Sequence, residues 1–468
     1  MKNIKRIIAI ALVLLMMLPT AIACGNKENT DTAQSSAPVT DAPAVNGDNN
    51  SEPSGDNGNK APDNNNNKPE DQPTKEPDPT EPTKSLKVIE TVSIIGGEDN
   101  EEDTTVQAEE SEGSNTDTPT TTERVNPTFR TVGRTYIRES GLACDFAGTG
   151  IRFTADCEKS VFVKVSSDKN LYFTVYIDGV RLDSRVSVRK DTADTWICIA
   201  KGLSKGVHEI ELVKQSQFTQ ATCKILEVGV IGEFGNAPEE RDYFIEVYGD
   251  SIANGSNILG GGTSMSSTDA TKAFAWLAAK ALNTDCSLIG CGGLGLVASD
   301  VDFVMSDIWD LCGSNELEGT PKHDFSRIPD IVVIELGVND VAHGSPENTP
   351  AYQAAVKALI ESIREKYGND VPIVWLYGYH AEDNFDNTKP IIEALGGIDA
   401  NIYTCAMPES SVSPNNGGDG YHPNEETTVS LTERLIEALA PLLEDRSGIY
   451  GSDENDDYAN DVFDLIKK

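Results

Sequence analysis

The 468-residue chain carries 76 acidic against 38 basic residues, a net charge of −38, and only 38% of it is hydrophobic. Without clustered Lys and Arg it has nothing to hold a phosphate backbone, which excludes nucleic acid as its main partner. Beyond the first 25 residues no apolar run is long enough to span a bilayer, which excludes a polytopic membrane protein.

The chain opens on a basic patch, Met1 to Arg6, followed by the apolar stretch Ile7 to Leu18 and the small residues Ala21-Ile22-Ala23. That order is the signature of an export signal. Ala21-Ile22-Ala23-Cys24 resembles the bacterial lipobox, with Ala21 where that motif prefers Leu. It implies a signal over residues 1–24, acylation of Cys24, and an extracellular lipoprotein tethered to the bacterial membrane. Eight further cysteines form no CxxC pair, so no zinc or thioredoxin-type motif is expected. Cys198 and Cys223 stand among apolar residues and read as small buried hydrophobes.

Residues 25–126 hold 23 acidic and 7 basic residues and almost no aromatics. Such a stretch cannot bury enough apolar surface to offset its ordering entropy and reads as a disordered acidic linker. Leu86 to Ile95 is its one apolar patch, apolar enough for a strand or docking segment, and is assigned to the linker too. From Asn126 short alternating runs follow, among them Ile151-Arg-Phe-Thr, Val161-Phe-Val-Lys-Val and Tyr172-Phe-Thr-Val-Tyr-Ile177, separated by turn signals such as Asp178-Gly179. They predict a β-sandwich or jelly roll over 127–235. Strands and helices then alternate: a strand at Phe244–Tyr248, a helix at 271–282, strands at 331–336 and 371–377, and helices at 351–367 and 425–443. Residues 240–445 therefore predict a parallel sheet with helices on both faces, whose reactive groups gather beyond the carboxyl ends of the strands. Residues 446–468 form an acidic tail.

Two serines qualify as nucleophiles by their surroundings. Gly202-Leu-Ser204-Lys-Gly206 has the letters of a nucleophile elbow, but an elbow needs a strand before it and a helix after it. Here Val207-His208-Glu-Ile-Glu-Leu212 continues as strand, so Ser204 is assigned to a turn. Ser251, in Gly249-Asp250-Ser251, directly follows a strand and opens the loop toward a helix. A serine nucleophile needs a base. Of five histidines, His208 falls in the sandwich, while His323, His343 and His380 fall in loops without a supporting pattern. His422 lies in Asp419-Gly-Tyr-His422-Pro, where Asp419 can hold one ring nitrogen while the other accepts the serine proton. Gly337-Val-Asn339-Asp340 ends another strand and offers an amide to a developing oxyanion. Gly290-x-Gly292-x-x-Gly295 matches a dinucleotide fingerprint in letters only, since the strand before the first loop already leads into Gly-Asp-Ser.

Gly-Asp-Ser, a glycine block, Gly-x-Asn-Asp and Asp-x-x-His-Pro, in that order over about 170 residues, resemble the SGNH (GDSL-type) hydrolase superfamily. The preceding Gly133-Arg-Thr-Tyr136, Tyr172-Phe-x-Val-Tyr-Ile-Asp-Gly179 and Gly202-Leu-x-x-Gly-x-His208 look like the jelly roll of carbohydrate esterase family two. The resemblance implies a three-layer αβα hydrolase with a flavodoxin-like sheet behind a jelly roll. It also implies a monomeric O-acetylesterase acting on polysaccharides such as xylan and glucomannan, with no metal or cofactor. Carried over by motif, Ser251 is the nucleophile, His422 the base, Asp419 the third triad member, and the Ser251 N–H, Gly293 and Asn339 the oxyanion hole. The family's glycine block carries an aromatic and a Ser where this chain has Cys291-Gly292, and several relatives work with a Ser-His dyad. Other readings are a non-catalytic glycan-binding surface protein, an esterase for other acyl groups, and a deacetylase of cell-wall glycan.

Overall fold

The computed structural model describes residues 129–443 except 263, 345–348, 380–383 and 409–420, together with the backbone of 85–90 and 121–124. The first eleven strands form one antiparallel-dominated sheet. They are β1 (Ser85–Glu90), β2 (Thr121–Arg124), β3 (Phe129–Val132), β4 (Tyr136–Arg138), β5 (Gly141–Cys144), β6 (Gly150–Ser167), β7 (Leu171–Ile177), β8 (Val180–Arg181), β9 (Val186–Val188), β10 (Ile197–Lys214) and β11 (Cys223–Phe234). The path runs β2-β1-β11-β6-β10-β7-β8. The long pair β6 and β10 slips register three times between Cys198 and Gly206, and such bulges bend long strands around a core. Phe153, Val163, Phe173, Val175, Ile210 and Leu212 alternate inward to fill that core.

Two expectations are corrected here. Ser85–Glu90, assigned to the linker, is a strand that pairs antiparallel with β11, Leu86 opposite Ile231. The edge of β11 otherwise offers a row of unpaired N–H and C=O groups, and a strand-forming segment covers it. Cys198, expected to be buried, is exposed: Ile199 and Ala200 turn inward instead, just where the register of β10 shifts.

The remaining strands make a separate parallel sheet: β12 (Tyr243–Gly249), β13 (Thr284–Gly290), β14 (Ile331–Glu335), β15 (Ile373–Tyr377) and β16 (Ile402–Ala406). Their order, β13-β12-β14-β15-β16, is the doubly wound arrangement whose direction reverses between its first and third strands, opening a crevice at their carboxyl ends. All five residues of β14 are buried, as expected of a strand covered on both faces. Ile245, Val247, Val333 and Val374 face helices α1 (Phe274–Ala281) and α5 (Thr428–Leu439). Tyr248, Ile289, Ile334 and Trp375 face α3 (Thr349–Tyr367) and α4 (Phe385–Ala394). The short α2 (Val338–His343) lies between β14 and α3. Leu431, Leu435, Ile436 and Leu439 form the single apolar stripe that seats α5.

The two layers are joined by a buried ionic knot. Arg134, from the turn between β3 and β4, pairs with Glu246 of β12 at 3.0 Å, with side chains 2% and 0% exposed. Its guanidinium also donates to Tyr248 Oη and to the carbonyls of Trp309 and Leu311. Glu246 accepts in addition from Tyr248 and Tyr367. Every donor and acceptor of the pair is thus occupied, which is the condition under which a buried ion pair is tolerated. Arg134→Met should strand the Glu246 carboxylate and destabilise the protein by about 3–5 kcal/mol. Arg134→Met/Glu246→Leu should recover much of that loss; urea midpoints of the three proteins check both expectations.

Candidate active site

β12 ends in Gly249 directly opposite Gly290 at the end of β13. A β-carbon on Gly290 would lie 1.7 Å from the Gly249 carbonyl oxygen, and one on Gly249 2.5 Å from Ala253 Cβ. Only glycine at both positions lets the two strand ends come together and the chain turn sharply into Ser251. The turn is held from beneath by carboxyl groups. Asp250 Oδ1 accepts the Ile252 N–H at 2.9 Å and its Oδ2 accepts Asn339 Nδ2 at 2.8 Å. Glu335, the last residue of β14, accepts the N–H groups of Asp250 and Ala253.

Ser251 is half-buried. Its N–H, its Oγ and the Gly293 N–H make no hydrogen bond to any described residue. Several of their neighbours are committed. Gly292 N–H donates to Gln217 Oε1 at 2.7 Å, Gly293 O accepts from Asp300 N at 2.7 Å, and Gly295 N–H donates to Ser299 Oγ at 2.8 Å. Asp340 gathers the N–H groups of Leu296, Val297 and Ala298 on its carboxylate. The glycine block is thereby held on both sides of Gly293, whose own N–H stays open. Asn339, expected as a third oxyanion donor, has both amide hydrogens engaged, one on Asp250 Oδ2 and the other on Leu294 O at 3.0 Å. As placed it braces the serine turn against the glycine block, and it reaches an oxyanion only by releasing one of these bonds.

His422 is half-buried in the loop before α5, and its charge bears on the Asp250 carboxyl. Asp419 lies outside the described residues, as do Cys24 and the acidic tail. Of the other histidines, His343 is exposed at the end of α2, His323 packs edge-on against Phe325 at 4.9 Å, and His380 is outside the described residues. No hydrogen bond joins Ser251 Oγ to a histidine among the described residues.

The rejected serine has a surprising neighbourhood. Ser204 Oγ lies 3.5 Å from His208 Nε2, whose Nδ1 is 2.7 Å from Asp178 Oδ2. Nε2, however, faces the Ser204 carbonyl at 2.9 Å, so both ring nitrogens point at acceptors. The hydrogen bonds to Asp178 and to the Ser204 carbonyl raise the His208 pKa above its ordinary value. An imidazole holding both protons cannot take another, and this trio pins a turn. Ser204→Ala should leave any ester hydrolysis within about 2-fold of wild type, which kcat/KM on an activated acetate ester checks.

Burial drives the Asp250 carboxyl up to about 6, opposed by hydrogen bonds from the Ile252 N–H and Glu335 and by the His422 charge. Burial first, and Asp250 second, push Glu335 well above the usual carboxylate range. A carboxyl raised on folding stabilises most below its unfolded pKa, near 4, and that contribution is lost as pH rises through about 6. The wild-type melting temperature should therefore fall between pH 4.5 and 7.5. Asp250→Asn should flatten that slope by on the order of 2–3 kcal/mol; an unchanged slope would refute the assignment.

A cavity of about 370 Å³ lies at the amino ends of β12 and β13, lined among others by Arg130, Arg152, Glu211, Arg241, Asp285 and Arg327. Its charges pair with one another, Arg241 and Arg327 on Asp285 and Lys280 on Glu211. It is an ionic seam between the layers at the end of the sheet opposite Ser251.

An antiparallel β-sandwich ahead of a doubly wound sheet, with a serine and open backbone donors at the switch point, defines a serine ester hydrolase of the SGNH type. Residues 247–428 match the GDSL-like lipase/acylhydrolase family and residues 131–238 the carbohydrate esterase 2 N-terminal family. The chain thus carries a GDSL-like lipase/acylhydrolase domain behind a carbohydrate esterase 2 N-terminal domain. It is 22% identical over 341 residues to an acetylxylan esterase / glucomannan deacetylase of Cellvibrio japonicus, covering 68% of this chain and 90% of that one. A family two carbohydrate esterase from Clostridium thermocellum in complex with cellohexaose shares the fold at TM-score 0.60 and 22% identity, over 66% of this chain and 98% of that one. An acetyl xylan esterase from the rumen bacterium Butyrivibrio proteoclasticus does so at TM-score 0.59 and 20% identity, over 67% and 94%.

Proposed function

We propose that the chain is an O-acetylesterase that removes acetyl groups from polysaccharides of the xylan and glucomannan type through a serine acyl-enzyme. The observation that carries the reading is the pair of N–H groups at Ser251 and Gly293, both without a described partner, beside the serine hydroxyl. Donors aimed at an empty point are what a developing oxyanion requires, and each is worth roughly 10²–10³ in rate. The Cellvibrio relative's name supplies the substrate class. Tyr421, next to His422 and 69% exposed, offers an apolar ring face to a sugar.

In this reading His422 takes the Ser251 proton as Oγ attacks the acetyl carbonyl. The two N–H groups hold the oxyanion, and the ester bond breaks as His422 returns the proton to the departing sugar oxygen. Water, deprotonated by His422, then attacks the acetyl-enzyme and releases acetate. Asp419 would fix the imidazole tautomer. Export by the signal over residues 1–24 and tethering through an acylated Cys24 would place a monomeric enzyme at the cell surface, where polymers too large to enter the cell are met.

Ser251→Ala in the full chain should reduce 4-nitrophenyl acetate hydrolysis by at least about 10³-fold with an unchanged melting temperature. Retained turnover would end the assignment. Acetate release from acetylated xylan, acetylated glucomannan and O-acetylated peptidoglycan, measured side by side, checks the substrate class: a rate on peptidoglycan exceeding both plant polymers would replace it. Cys24→Ala should release the protein from the membrane fraction.

A further inference from the structure

The segment Lys214–Phe218, at the exit from β10, leaves the sandwich and enters the hydrolase layer. All five residues are buried. The Lys214 ammonium, fully enclosed, donates to the carbonyls of Asp145 and Ser216 and so curls the segment on itself. The Gln215 carbonyl accepts the Ala270 N–H at 3.0 Å, tying the segment to the loop that leads from Ser251 into α1. Phe218 packs on Phe146 and Phe303, with ring centroids 5.7 Å away in both cases, in the same apolar cluster as Cys291 and Leu294 of the glycine block. Between these anchors Gln217, 5% exposed, sends its side chain to the block itself, where Oε1 accepts the Gly292 N–H at 2.7 Å. A β-carbon on Gly292 would lie 2.9 Å from Gln217 Nε2 and 3.6 Å from Ser251 Cβ, so amide and nucleophile flank the same glycine.

We propose that Gln217, carried into the site by the β-sandwich, is a positioning residue for the hydrolase: by holding the Gly292 N–H it sets the plane of the glycine block so that the Gly293 N–H joins the Ser251 N–H at the reacting oxygen. This rests on the acyl-enzyme reading given above. Without an acceptor at this point the Gly292 N–H would be left to rotate toward the cleft or find another partner, and the Gly293 peptide would turn with it. Misplacement of an oxyanion donor costs rate and not ground-state affinity, because the oxyanion exists only in the transition state. The sandwich thus supplies part of the alignment of the reacting groups, which gives a mechanical reason for its fusion to the hydrolase.

The test uses the full chain with 4-nitrophenyl acetate and Ser251→Ala in parallel. Gln217→Met keeps the length and removes the acceptor. It should lower kcat by about 10- to 10²-fold with KM within about 2-fold and little change in melting temperature. Gln217→Glu keeps an acceptor but sets a negative charge beside the oxyanion once ionised. Its rate relative to wild type should climb by at least about 5-fold from pH 8 to pH 5, as the introduced carboxyl becomes a neutral isostere. If Gln217→Met keeps kcat within about 2-fold while Ser251→Ala is inactive, the role of Gln217 is refuted and the acyl-enzyme reading stands. If Ser251→Ala is itself active, both fall. Should Gln217→Met fail to fold, the Glu variant decides, and a relative rate independent of pH overturns the proposal.

Discussion

The structure hangs on one buried carboxyl group. Asp250 sits between the last residues of β12 and β14, and from there it binds the first peptide after the serine and the side chain that closes the neighbouring loop. Its companion Glu335 takes two more N–H groups of the same turn. Burial raises both carboxyl groups, and the Asp250 charge raises Glu335 further, which opposes enclosing two full charges there. The arrangement converts a flexible loop into a fixed platform: with Ile252, Ala253 and Asp250 tied down, the Ser251 peptide is the one left pointing outward.

A second constraint follows from the sheet. The strand order brings β13 and β14 to either side of β12, so loops from three strands converge on one crevice although their residues are far apart in the chain. Each loop then braces another: Asn339 links the serine turn to Leu294, and Asp340 draws in the peptides after Gly295. A glycine-rich loop alone would sample many conformations. Here its freedom is removed by partners on every side, and the strain of close approach at Gly290 is relieved by the absence of side chains.

The sandwich is more than an appended binding module. Arg134 joins it to the first parallel strand through a fully satisfied ion pair, and the Lys214–Phe218 segment enters the apolar cluster below the glycine block. The ionic seam of Arg241, Arg327 and Asp285 lies on the same boundary, in a cavity that Arg134 also lines. A boundary with an apolar plug and a charged seam resists rotation as well as separation, so the layers behave as a single support for the site.

Much of this was legible in the chain itself. Alternation of apolar residues marked the sandwich, continuous apolar runs marked buried parallel strands, and Gly-Asp-Ser, the glycine block and Gly-x-Asn-Asp stood at strand ends, because local periodicity and turn chemistry are encoded within a few neighbouring residues. The strands Thr284–Gly290 and Ile402–Ala406 and the helix Phe385–Ala394 were not singled out, since short mixed runs carry weak periodicity and are stabilised by their neighbours. The pairing of Ser85–Glu90 depends on an open edge some 140 residues away, as its register with Glu227–Ile231 shows. Ser204 and His208 look catalytic in letters and in proximity, but the strand that continues through them and the direction of two ring nitrogens disqualify them. The commitment of both Asn339 hydrogens, the burial that raises Asp250 and Glu335, and the reach of Gln217 into the glycine block were likewise decided by tertiary structure. Residue type determines what chemistry a side chain can perform; which hydrogen bonds are already taken, and which donors remain open, is settled only when distant segments are packed together.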